Sequence, residues 1–477
     1  METRKIFDNL SPLDHRYYES NRQLFDTLSE YLSETASVRY CTKVELSLLV
    51  THIVQKNLGD EKLQQSILDL ESSVSPEEVY KEEEKTQHNI RALVNVLQRK
   101  VPDNLKPYVH MGATSVDILD TANALKIRDG VQKVVLPQLM ELETLLAKLA
   151  KQEASTPQVG RTHGQYAVPI TFGFAISEYV SRLGKSIKEI YARTLDLRGK
   201  IAGAVGAYNA TSMLSKNPQE FEVLTLSRLG LKPSDHSTQM VEPEYLLRLL
   251  LEINLAFGVI ANLADDLRNL QRSEIDEIRE YFSATQVGSS TMPQKRNPWN
   301  SEHVKSLWKA FAPRVMTFYM DQISEHQRDL TNSASGRFVA DYLAGFSAAV
   351  ARMTKIIKGL SVNREQQYET LIHRAGSSVL AEAAYILLGQ NGESDAHEVI
   401  RTLTLESDQT GKTLLQVMES KPEVWNKISS RLKEVTGQDP KEFFSSPANY
   451  SGKATEKAVE LADYWLEQIE SLKKTIL

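Results

Sequence analysis

The sequence is short of several things, and each shortage removes a class of protein. One cysteine, Cys41, stands among 477 residues. A single thiol cannot close an internal disulfide, which suits a reducing compartment, and the histidines are not clustered, so no Cys/His zinc site is expected. Positive charge is not in excess: 56 Lys and Arg face 62 Asp and Glu, a formal net charge of −6. Nothing in that balance calls for nucleic acid or an anionic membrane as partner, so an anionic ligand has to be held by a local cluster of donors. Unbroken apolar runs are missing too. The most hydrophobic stretch, 245–263, is interrupted by Arg248, Glu252, Asn254 and Asn262, which a membrane span tolerates poorly. Residues 1–5 lead into charged and polar sequence without an apolar segment of signal-peptide length, so a cytoplasmic location is expected. Internal repeats, low-complexity segments and blocks of like charge are absent, and sustained period-two alternation is scarce.

What is present is ordinary globular composition, 41% apolar and 25% charged, on a chain long enough to bury a sizeable core. The dominant pattern is helical. From Leu246, apolar residues fall at Leu249, Leu250, Ile253, Phe257, Ile260, Leu263, Leu267 and Leu270, steps of three and four along one helix face. Similar stripes run from Phe172 to Tyr191, from Val131 to Leu149, broken only by Pro137 near its start, and between Ser301 and Ile323. Runs of this length predict an all-α protein built on a central bundle of long helices. The stripes exceed what one domain covers, which points to oligomerisation.

Gly, Pro and small polar residues gather at 109–117, 156–169, 199–218, 231–242 and 285–298, and these breaks read as loops held on a rigid frame. Three of them carry chemistry. In Gly288-Ser289-Ser290-Thr291-Met292-Pro293-Gln294-Lys295-Arg296-Asn297-Pro298, Gly288 can take positive φ and the prolines stop a helix. Free amides, hydroxyls, an ammonium group and a carboxamide make a donor set for a carboxylate or oxyanion; taken alone it is equally a flexible polar loop. Gly160-Arg161-Thr162-His163-Gly164-Gln165 offers an accessible histidine able to donate a proton near neutral pH, or simply a surface histidine in a turn. In Gly112-Ala113-Thr114-Ser115-Val116-Asp117, Thr114 and Ser115 can cap the next helix, with Asp117 in its first turn, and such an N-terminus also binds anions.

Taken in order, these three segments resemble the signature of the fumarase/aspartase superfamily of lyases, and the last matches its most diagnostic loop nearly letter for letter. Within the superfamily, Ser11-Pro12-Leu13-Asp14-His15-Arg16-Tyr17, Thr86-Gln87-His88-Asn89, Gly203 to Asn209, Ser237-Thr238-Gln239, Gln327 to Thr331 and Pro447 to Gly452 are similar to elements of adenylosuccinate lyases, most like the bacterial type. Three positions depart from that pattern: His15 replaces a glycine, Asn89 an aspartate and Asn332 a common aspartate.

The resemblance implies a three-domain fold dividing at 1–111, 112–364 and 365–477. It implies elimination of fumarate from adenylosuccinate, giving AMP, and from the succinylated aminoimidazole carboxamide ribonucleotide (SAICAR), giving AICAR. It places the general base on Ser289 and the general acid on His163, with Lys295 and Asn297 holding the carboxylate. Arg16 and Tyr17, with Ser333 and Arg337, fall to the nucleotide phosphate; Arg328 suits a bidentate clamp. His88, Asn89, Thr114, Ser115 and Gln239 complete the pocket. The superfamily builds each site from three subunits, so a homotetramer is implied, and nothing calls for a metal or an organic cofactor. A sister lyase acting on argininosuccinate, aspartate or malate is the rival; the Arg16-Tyr17 and Ser237-Thr238-Gln239 segments argue against it.

Overall fold

Steps of three and four between leucines produce rods, and rods are what the chain forms. A computed structural model describes residues 4–476, except 284, 286, 287 and 289. The helices that carry the fold are α1 (Glu34–Gln55), α2 (Ser115–Gly130), α3 (Leu136–Gln152), α4 (Phe172–Leu195), α5 (Glu244–Leu270), α6 (Trp299–Phe311), α7 (Val339–Lys358) and α8 (Ala454–Ile476). In the central bundle α4 packs on α3, α5 and α8, while α6 lies between α5 and α7. The stripe that predicted α5 is the face it buries: Leu249, Leu250, Ile253, Phe257, Ile260, Leu263 and Leu267 all sit in the core. Among the described residues α5 is the one helix long and apolar enough to cross a membrane by length and composition. Three of its polar side chains are met by neighbouring helices: Asn254 accepts from the Tyr342 hydroxyl at 3.1 Å and Asp265 from Lys305 at 2.6 Å, while at the exposed edge Asn262 accepts from Arg182 at 2.9 Å.

Pro137 was expected to break its stripe. Instead α2 and α3 are joined by a π turn, Val131–Val135, just before it. Proline has no N–H to donate and its ring crowds the carbonyl four residues back; a widened turn gives that carbonyl room.

Two short sheets pair only two residues per strand; the longest departure from the helical plan among the described residues is a hairpin, β1 (Pro157–Thr162) with β2 (Gln165–Thr171), in a stretch that reads as loop in the sequence. Thr, Val, Tyr and Ile favour strand. The two-residue turn is His163-Gly164, with φ of 54° and 75°, the left-handed pair a twisted hairpin requires.

Residues 380–444 bury a separate apolar core of their own. The last helix, α8, which an expected C-terminal domain of 365–477 would contain, returns to pack on α3 and α4, with Lys151 paired to Asp463 at 2.6 Å.

Candidate active site

The predicted acid is carried at the end of the hairpin. Residues 162–166 are all exposed, so His163 projects from the bundle. Arg161, two residues before it, faces Tyr166 across the ribbon, its guanidinium 5.5 Å from the ring centroid. Inward, Arg161 meets Glu277, which is fully buried and also accepts from Gln158 at 2.8 Å. The base of the hairpin is held by Glu153, buried as well, which accepts from Thr156 at 2.7 Å and from Arg364 at 2.9 Å.

Gly288 and residues 290–298 lie at the same end of the bundle. Ser289, the expected base, lies outside the described residues. At Gly288 a Cβ would come within 1.9 Å of the Lys295 carbonyl oxygen, so close approach of the backbone excludes a side chain there. Asn297 donates to the Gly288 carbonyl at 3.0 Å, tying the two ends of the segment, and Lys295 is exposed. Glu280 then anchors the exit: its carboxylate accepts from the Asn300 N–H at 3.3 Å, the Ser301 N–H at 2.9 Å and the Ser301 hydroxyl. A carboxylate on the first N–H groups of α6 is favoured by the helix dipole.

A second group of predicted residues sits at the other end. Thr114 caps α2, with its N–H donating to Asp117 at 2.8 Å, and Ser115 opens the helix. Asp117 is also buried against Lys200 and accepts from the Ala202 and Gly203 N–H groups at 3.2 and 3.3 Å. One turn on, Asp120 accepts from the Val241 N–H at 2.9 Å, and the Gln239 N–H donates to the Gln327 carbonyl at 3.2 Å, beside Arg328. Burial pushes the Asp120 carboxyl up to about 6. Arg328 has φ of 90°, donates to the Asp321 carbonyl at 3.0 Å, and keeps its Nε buried without a partner among the described residues. His88 is exposed and caps the helix Asn89–Lys100 through Nδ1, 3.2 Å from the Arg91 N–H; Asn89 opens that helix.

Thr114, Ser115, Gln239 and Arg328 therefore gather near the start of α5, and the hairpin and signature loop near its end. At 1.5 Å per residue, the 27 residues of α5 separate the two groups by about 40 Å.

The segment 11–20 runs along the bundle's side. The Tyr17 hydroxyl lies 2.9 Å from His303 Nε2 on the second turn of α6. Burial, and then the Arg352 charge, lower the His303 pKa. Arg16 is exposed, as are Ser333 and Arg337, which precede α7. Near them Asp341 is raised first by burial and also by the Asp14 carboxylate. His15 has φ of −136°, so the position needs no glycine.

The sequence reading did not single out Glu277, Glu280, Asp120, His303 or the contact of His110 with Glu45. His110 is pushed down by burial but raised on balance by its hydrogen bond to the buried Glu45, at 2.7 Å. A readable signal existed only for Asp120, three residues beyond Asp117 on the same helix face. Among the described residues, no three His, Cys, Asp or Glu side chains gather where they could hold a metal ion.

Comparison with known proteins agrees with this architecture. Residues 15–312 match the family described as Lyase, and residues 324–440 the family described as Adenylosuccinate lyase C-terminal. The adenylosuccinate lyase of Pyrococcus horikoshii is 32% identical over 467 residues, 96% of this chain and 98% of that protein. The N-acetyl-S-(2-succino)cysteine lyase of Dickeya dadantii is 29% identical, covering 82% of this chain and 84% of that protein. In fold, the chain is similar to the 3-carboxy-cis,cis-muconate lactonizing enzyme of Pseudomonas putida, with a TM-score of 0.75 at 22% identity over 96% of this chain and 99% of that one. Both the motifs at the two ends of the bundle and the identity along nearly the whole length lead to one assignment: the chain is a lyase and belongs to the adenylosuccinate lyase family of the fumarase/aspartase superfamily.

Proposed function

We propose that the protein removes fumarate from adenylosuccinate, leaving AMP, and from SAICAR, leaving AICAR, in purine nucleotide biosynthesis in the cytoplasm. The observation that carries this reading is the 32% identity to an archaeal adenylosuccinate lyase over 96% of the chain. Chemically, Ser289 takes a proton from the carbon next to one carboxylate of the succinyl group. The resulting aci-carboxylate carries extra negative charge, which Lys295, Asn297 and the amides around Ser289 and Ser290 stabilise; preorganised donors of this kind are usually the largest catalytic contribution. The C–N bond then breaks, its electron pair leaves with nitrogen, and His163 supplies the proton. Arg16, Tyr17, Ser333 and Arg337 hold the phosphate, while His88, Asn89, Thr114, Ser115, Gln239 and Arg328 line the rest.

A site that needs both ends of α5 needs more than one chain, and we assign the working form to a homotetramer with shared sites. Apolar side chains left outside the monomer support it: Leu251 and Leu255, one turn apart on α5, are 36% and 61% exposed, and Met316 and Met320 55% and 61%. A groove of about 510 Å³ between α4 and α5, lined by Phe174, Tyr179, Leu263 and Leu267, offers a further apolar surface.

The test is to mix the protein with adenylosuccinate and look for fumarate and AMP. The identity to the Dickeya protein makes N-acetyl-S-(2-succino)cysteine the informative rival; faster turnover of that compound than of either succinyl nucleotide overturns the proposal.

A further inference from the structure

The hairpin that bears His163 has few ties near its tip. Beyond Val159, which packs on Leu371 and Ala375, residues 162–166 are exposed, and Arg161 is the last side chain before the turn with a buried partner. That partner, Glu277, arrives from a different part of the chain, 116 residues away, in the segment that leads from α5 to the signature loop.

Glu277 is itself held firmly. Its N–H donates to the Leu270 carbonyl at 3.0 Å, and its own carbonyl accepts from the Asn363 N–H at 2.9 Å and from Gln367 Nε2 at 3.2 Å. The residue before it, Asp276, has φ of 52°, a left-handed turn that an aspartate tolerates. The side chain is fully buried, and its two oxygens face the guanidinium of Arg161 and the carboxamide of Gln158. A planar guanidinium against a carboxylate fixes direction as well as distance, which apolar packing does not. Three residues on, Glu280 secures the start of α6, so one short stretch anchors the hairpin on one side and the exit of the signature loop on the other.

We infer that Glu277 is a positioning residue for the elimination: acting through Arg161 and Gln158, it sets where the hairpin presents His163. The inference rests on His163 being the general acid. Misplacing a catalytic group by about 1 Å can cost on the order of a hundredfold in rate, so loosening this anchor should lower turnover without weakening substrate binding.

Glu277→Gln keeps the side chain's length and removes the charge that faces Arg161. The expected result is a kcat at least about tenfold lower, with KM for adenylosuccinate changed by less than about threefold. Amide hydrogen exchange should quicken across 157–171 and stay unchanged in α3, α4 and α5. Arg161→Lys, which retains the charge but loses the planar fork, should show the same pattern in milder form and carries the test if Glu277→Gln fails to fold. His163→Ala is assayed alongside. If it is inactive while a folded Glu277→Gln, or failing that Arg161→Lys, turns over within about twofold of the parent, the positioning role is overturned. If His163→Ala itself keeps its rate, the assignment of the acid is what fails.

Discussion

No single chain should own a complete site, and subunit mixing tests this. Ser115 and Gln239 lie near the start of α5, Lys295 beyond its end, about 40 Å away along the helix. That span is beyond the reach of one small ligand, so a site needing all three draws them from different chains. A chain carrying Ser115→Ala and Gln239→Ala should be inactive, and so should one carrying Lys295→Ala. After equal mixing and full exchange, half the chains at each position are intact at one end and half at the other. The chance that a site draws an intact Ser115–Gln239 end and an intact Lys295 is half of a half, so roughly a quarter of wild-type activity should return. Fumarate release gives the rate, and native mass spectrometry of differently tagged chains shows that exchange is complete. Complete exchange with activity still at the level of the parents refutes the reasoning, because it means that the two ends never serve one site.

Other expectations follow from single positions. His163→Ala and Ser289→Ala should each cut turnover by at least about a hundredfold, the scale of a general acid or base; a fumarate assay on a folded variant near the parental rate removes that residue from its role. Arg16→Ala should weaken AMP binding much more than fumarate binding, read by calorimetry, and equal effects would place Arg16 at the wrong end of the pocket. Glu143, on α3, is fully buried with both carboxylate oxygens unpartnered among the described residues, and burial raises its pKa well above the ordinary carboxylate value. A raised carboxyl pKa contributes stability that is present at low pH and is lost as pH rises through the folded-state value. Glu143→Leu should therefore stabilise the protein by about 1–3 kcal/mol near pH 8 and by less near pH 5; a melting temperature unchanged at both pH values contradicts this.

The rods were legible because burial and periodicity are the same fact seen twice: the residues that predicted α5 are those it hides. The hairpin was not, because Gly160, Gly164 and Pro169 read as loop chemistry. In a two-stranded ribbon each strand is an edge, so Pro169 is tolerated where a central strand would reject it. The exposed candidate residues were marked only by motif order, since an isolated His163 or Arg16 has no local pattern that singles it out. Glu277 and Glu280 were invisible for a different reason. They lie in a charged stretch that looks like solvated linker, and only the tertiary fold brings Arg161 and the start of α6 to them.

Four of the buried carboxylates share a placement that explains how the exposed residues assigned to catalysis can be held still. Asp117 stands where the 202–203 turn meets α2, Glu153 where α3 gives way to the hairpin, Glu277 where α5 ends, and Glu280 where α6 begins. Each is at a junction between a rod and a loop, and each accepts two or more directed hydrogen bonds. Burying an apolar side chain at those points would give comparable or greater stability, but hydrophobic contact is non-directional and leaves a loop free to settle in several ways. A carboxylate that accepts from named N–H groups admits one arrangement. The charge is thus spent on geometry at the rim of the bundle, while Glu143, alone in the middle of a rod with nothing to orient, carries the desolvation cost without that return.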